Sequence, residues 1–141
     1  MKIRVLAAVL CLFSSAAGAQ ALQLITADEA KLPDAAAKPA SRSITRGPGV
    51  KLVSAESVSG QFPFKVAFEP RGESKIDLAT VKVEYLKGPG VDLTARLKAA
   101  TKPAGIEVPA AAAPAGEHPI RVTVRDSEGR LGTAEFKLTV K

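Results

Sequence analysis

The chain has 141 residues, 46% hydrophobic but only 4% aromatic, with no Trp and a formal charge of +6. That length has room for one domain with a modest aliphatic core, not for two. The single cysteine, Cys11, falls in the N-terminal segment, which excludes a disulfide, a thiol nucleophile or a thiolate metal site downstream.

The first nineteen residues, MKIRVLAAVLCLFSSAAGA, place Lys2 and Arg4 ahead of an apolar run from Val5 to Phe13 and end in Ala17-Gly18-Ala19. A charged start, a short apolar run and a small-residue cleavage site make a secretory signal peptide, cut before Gln20. The run is shorter than the roughly 20 residues a spanning helix needs, so the mature chain is expected to have no transmembrane segment. Cys11 follows Leu10, where a lipidation signal would carry a small residue. A periplasmic or extracellular protein is therefore expected. Losing Lys2 and Arg4 leaves 18 cations against 14 anions, a surplus of four. On an exported chain that surplus serves solubility. Nucleic acid is excluded as a partner by compartment and by the lack of any Arg-aromatic cluster. Envelope proteins or polysaccharide are the expected partners, and a monomer is the expected state.

Residues 20–47 form an Ala/Pro-rich arm. Thr26 with Glu29 three residues on has the spacing of a capping box. Pro33 ends any helix there after about two turns. The arm is read as loosely ordered, with a strand or peptide docked on the domain as the alternative.

From residue 48 to the C-terminus the pattern is β. Val50 to Ser54 reads as a first strand. In QFPFKVAFEP, Phe62, Phe64, Val66 and Phe68 share one face. Pro63 has no N–H, so the start of that strand belongs at an edge or outside the pairing. In ATVKVEYLKG, Val81, Val83 and Tyr85 point inward and Lys82 and Glu84 outward. Residues 91–101 fit a strand or a helix; Thr94 as N-cap favours a short helix from about Ala95 to Ala100. Gly105 to Val108 is a short strand, and Pro109 to Gly116 reads as an Ala/Pro bridge. Ile120, Val122 and Val124 then share a face, as do Ala134, Phe136, Leu138 and Val140.

Short strands separated by turn signals over about 90 residues predict an all-β antiparallel sandwich. GEHPIRVTVRDSEGRLGTAEFKLTV resembles the last two strands of bacterial immunoglobulin-like domains, and KIDLATVKVEYLKG resembles a middle strand. The resemblance covers roughly residues 50–141. It implies an immunoglobulin-like sandwich of about seven strands of the disulfide-free kind, and implies no activity.

The candidate sites are few. If Asp126 pairs with Arg130 across Ser127-Glu128-Gly129, opposed residue numbers sum to 256. Val124 then faces Gly132, Val122 faces Ala134, Ile120 faces Phe136, and Arg121 faces Glu135. Gly129 belongs in the left-handed position of a three-residue hairpin loop, and Asp126 can accept hydrogen bonds from the backbone ahead of it. DSEG is thus a turn. The rival is calcium held by Asp126, Glu128 and Glu117, but three side chains fall short of its six to eight oxygens. His118, the only histidine, lies between Glu117 and Pro119 with no nucleophile motif in the chain, and reads as an exposed loop residue. Tyr85, the one aromatic with a polar tip, reads as core with its hydroxyl at the rim; a sugar site would need it exposed. Lys65, Lys82, Arg121, Arg125 and Lys137 read as an edge-protecting charged row ahead of a polyanion site. No catalytic, cofactor-binding or metal-binding residue is expected. The sequence therefore predicts a non-catalytic binding or structural module of the bacterial envelope. Its alternatives are a carbohydrate-binding or enzyme-accessory domain, or a weak metal binder.

Overall fold

A computed structural model describes residues 20–35 and 46–141. The signal-peptide reading of residues 1–19 and the middle of the arm, 36–45, lie outside the described residues. The chain forms β1 (Leu22–Gln23), α1 (Ala27–Ala30), β2 (Gly49–Leu52), β3 (Ser57–Val58), β4 (Gln61–Glu69), β5 (Ile76–Tyr85) and β6 (Val91–Asp92). It continues through α2 (Thr94–Leu97), a 3-10 turn (Lys98–Ala100), β7 (Thr101–Lys102), β8 (Gly105–Ala112), β9 (Gly116–Asp126) and β10 (Leu131–Val140). One sheet is ordered β1-β8-β4-β2, with β7 beside the start of β8; the other is ordered β3-β10-β9-β5-β6. The fold is an all-β sandwich. Six strands have four residues or more, and four two-residue segments bring the described total to ten.

Period-two alternation builds the core. Phe62, Phe64, Val66 and Phe68 from β4 are each at most 4% exposed, and so are Val83, Tyr85, Ile120, Val122 and Val124 from the facing sheet. Phe136 is half-buried and packs on this cluster. Both layers thus bury one side of each strand, which is the largest stabilising term available to a chain without a disulfide.

The β9–β10 register runs from Leu131 opposite Arg125 to Val140 opposite Gly116, and every pair sums to 256. A slip of one residue would turn the apolar set outward.

Pro63 sits inside β4 rather than at its end. The pairing there is broken, with Phe62 opposite Ala111 but Phe64 opposite Val108. Pro63 thus faces Pro109-Ala110, and neither proline has an N–H to donate, so the ladder bulges. On its other side β4 pairs with β2 only from Val66 onward. The proline falls where no partner needs its N–H. Pro109 to Ala112 continues β8, so the expected bridge is shorter than its composition indicated. Two pairings are parallel, β1 with β8 and β3 with β10, and the sandwich is not wholly antiparallel.

Residues 91–101 combine both readings: β6, one turn of α2, the 3-10 turn and then β7. Thr94 is not the N-cap. Leu93 occupies that position without a side-chain bond, while Thr94 Oγ1 accepts from Val83 N at 3.0 Å and so plugs the open edge of β5.

The described part of the arm takes the docked alternative. Thr26 and Glu29 complete the capping box, although α1 is a single turn. β1 adds in parallel to the end of β8, and Leu24 N donates to Ala112 O at 2.9 Å. Leu24 and Ile25 are fully buried in the core.

Candidate functional site

β9 carries the chemistry-bearing residues at its two ends. Its inward positions are the even numbers: His118, Ile120, Val122, Val124 and Asp126, all buried. The three middle side chains are apolar and make core. The polar pair at the ends must find partners inside the protein or destabilise it.

At one end, Asp126 closes the hairpin. Its backbone N donates to Arg130 O at 3.1 Å, and Gly129 N donates to Asp126 O at 2.9 Å. Gly129 has φ +76, the left-handed backbone that glycine adopts without strain. The carboxylate accepts from Glu128 N and Arg130 N through Oδ1, at 3.0 and 2.9 Å, and from Arg130 Nε through Oδ2 at 2.8 Å. Burial pushes the Asp126 pKa up, but the hydrogen bonds from Arg130 and Glu128 outweigh it and hold the group below the usual carboxylate range. The same turn ties in its neighbours. Ser127 N donates to Lys75 O at 2.7 Å, Arg130 Nη2 to Arg71 O at 3.3 Å, and Arg71 Nε to Gly47 O at 2.9 Å. DSEG is therefore a structural hub joining three connections. Glu117 stands nine residues away at the far end of β9, roughly 30 Å along the strand, so it cannot share an ion with Asp126. Among the described residues no three His, Cys, Asp or Glu side chains are grouped to hold one.

At the other end His118 corrects the sequence reading. It is 1% exposed rather than a surface loop residue. Its Nε2 lies 2.6 Å from Pro114 O and its Nδ1 lies 2.9 Å from Tyr85 Oη. A carbonyl only accepts, so Nε2 carries the hydrogen and Nδ1 accepts from the tyrosine hydroxyl. Burial pushes the His118 pKa down, with the Lys87 ammonium adding to it against the pull of the Pro114 bond. Tyr85 is fully enclosed, and its hydroxyl is pushed up to about 12, first by burial and then by Asp34 and Glu29. The signal for His118 was available: it stands two residues before Ile120, on the inward parity. Its neighbours Glu117 and Pro119 concealed this.

One concavity, of about 520 Å³, is lined by Leu78, Val81, Thr94 and Lys98; another, which the sequence did not announce, lies on the outer face of β5, β9 and β10. The latter is a cleft of about 350 Å³ with Glu84, Arg121 and Glu135 on its floor. Asp34 and Ala35 of the arm and Pro89 and Gly90 of the β5–β6 turn form one wall. The charges balance locally. Arg121 lies 2.6 Å from Glu135 and 4.0 Å from Glu84, which Lys82 holds at 2.7 Å. Lys137 pairs with Glu117 at 3.2 Å, and on the opposite sheet Lys65 pairs with Glu107 at 2.9 Å. Four of the five outward cations singled out in the sequence are thus engaged by carboxylates. Pairs this exposed contribute at most about 1 kcal/mol each, and each sets a carboxylate beside its cation.

No protein-family model matches the chain, and no curated protein matches it in sequence.

Proposed function

We propose that this chain is an exported, non-catalytic binding module of the bacterial envelope, immunoglobulin-like in kind. Its contact surface is the outer cleft of β5, β9 and β10. The observation that carries the reading is the cleft itself. Its volume falls in the range of ligand pockets, and its charged floor is already paired. Leu86, Pro89 and Pro119 supply apolar contact beside that floor. Such a lining suits a neutral or mixed-charge segment of an envelope protein. The chemistry-bearing residues support a non-catalytic role: Asp126, His118 and Tyr85 each spend their polar atoms on internal hydrogen bonds. Tyr85 lies wholly inside, which weighs against an aromatic sugar platform. The two-layer sandwich and the closing hairpin support the immunoglobulin-like assignment.

A photo-crosslinking residue placed at Glu135, compared with one at Glu107 on the opposite sheet, tests this in native envelope extract. A discrete adduct from position 135 and none from 107 is expected. Equal labelling from both faces, or none from either, would overturn the reading.

A further inference from the structure

The described arm, residues 20–35, binds the rest of the chain as a ligand binds a groove. Leu22 and Gln23 extend the end of β8, and Leu24 and Ile25 enter the core with no exposed surface. Arg96 of α2 grips the arm twice. Its Nη1 donates to Leu24 O at 3.0 Å, and it meets Glu29 in a two-pronged pair at 2.8 and 2.6 Å. Farther on, Gly88 N donates to Pro33 O at 2.6 Å and Ala35 N to Leu86 O at 3.1 Å. Burying Leu24 and Ile25 contributes about 3–6 kcal/mol in total, above what a partly exposed ion pair contributes. Apolar burial therefore holds the arm, and the Glu29–Arg96 fork sets its register.

The strand pairing, the hydrogen bonds and the ion pair just named are all made to residues 86–112. None of them depends on which copy of the chain supplies the arm. We propose that this groove accepts the same segment from a second copy, giving a dimer in which two chains exchange arms reciprocally. Every contact of the single chain is kept in such an exchange. Competition from the chain's own arm corresponds to an effective concentration on the order of millimolar, so dilute protein keeps its arm and exchange grows with concentration. Asp34 and Ala35, which wall the outer cleft, travel with the exchanged arm, so each cleft is then completed by the other copy's arm; the exchange does not rest on what the cleft binds.

Charge reversal separates the two arrangements. Glu29→Arg opposes Arg96 within its own chain, and Arg96→Glu opposes Glu29. In a mixture of the two variants, exchange alone restores both forks. Native mass spectrometry of the size-tagged variants is expected to show a 1:1 heterodimer at least tenfold more abundant than either homodimer. The double reversal Glu29→Arg/Arg96→Glu, repaired within one chain, is expected to be a folded monomer when dilute. A mixture that stays monomeric while the double variant folds would overturn the proposal. If the double variant fails to fold, cysteines at Leu22 and Ala111, with Cys11→Ser, give the second measurement. After refolding at about 1 mM and oxidation, covalent dimer supports exchange, and covalent monomer alone overturns it.

Discussion

At the residue scale, position parity decides the role of each polar side chain on β9. Asp126 and His118 lie on the inward row, so folding removes both from water. Their hydrogen bonds offset that cost, and among the described residues no buried side-chain nitrogen or oxygen lacks a partner. Removing one partner is then worse than removing none. Tyr85→Phe keeps the ring in place but leaves His118 Nδ1 buried without a donor, a loss of about 1–3 kcal/mol. Chemical denaturation at pH 7.5 measures it; a loss below about 0.5 kcal/mol would mean that water replaces the hydroxyl. The same pair sets a pH response. His118 is neutral in the fold, with its pKa lowered by burial, whereas the unfolded chain takes up a proton near the ordinary histidine value of about 6.5. Below that value the unfolded state binds more protons, so stability falls as pH drops from about 6.5 toward the folded value. The chain has one histidine. Urea midpoints between pH 7.5 and 5.5 should therefore fall in the parent and stay level in His118→Leu, from a lower start.

At the element scale, the closing hairpin was the most legible part of the chain because its information is local. A turn with Gly129 in the left-handed position fixes the loop length, and alternation on both sides fixes the register, so the number 256 follows without any distant contact. The strand faces of β4 and β5 were legible for the same reason. Thr94 was not: its hydroxyl bonds Val83 N at the open edge of β5, a partner eleven residues back that no spacing rule suggests. The bulge at Pro63 and Pro109 was half legible. Each proline announces a missing donor, but that the two gaps face each other is a fact of pairing. The β2 lead-in shows a similar long-range constraint. A Cβ on Gly132 would stand 2.0 Å from Pro48 O, and one on Gly47 would stand 2.0 Å from Leu131 O. Backbone meets backbone there, so there is no flexible side chain to give way. Gly132→Ala should cost about 1–3 kcal/mol through forced displacement. Thermal unfolding checks it, with Thr133→Ala on the exposed face as the control expected to lie within about 0.5 kcal/mol.

At the scale of the whole molecule, the arm decides how one end of the sandwich is closed. Composition alone made residues 20–47 look loose, because Ala and Pro form few contacts of their own. The two residues that matter, Leu24 and Ile25, gain their meaning from a groove built by β8 and α2. The sequence signal that survived was the capping box, since Thr26 and Glu29 satisfy each other locally. Glu29 then serves twice, because the oxygens that close the box also face Arg96. The Arg96 side chain holds the Glu29 carboxyl down to about 2, with the Thr26 backbone bond helping against partial burial. A carboxylate lowered in the fold adds stability above its unfolded value, near 4.5, and loses it as pH falls through that value toward 2. The full shift corresponds to about 3 kcal/mol; solvent beside the fork reduces this to on the order of 1–2 kcal/mol. Arm release should therefore precede global unfolding in acid. Amide exchange at Leu24, whose N–H bonds Ala112 O, is the direct readout: its protection should fall between pH 4.5 and 2.5 while that of Val122 persists. Glu29→Gln should show the weakened protection already at pH 6, with no further loss on acidification. If Leu24 and Val122 instead lose protection together at every pH, the arm is inseparable from the core, and its docking belongs to the same cooperative unit as the two sheets.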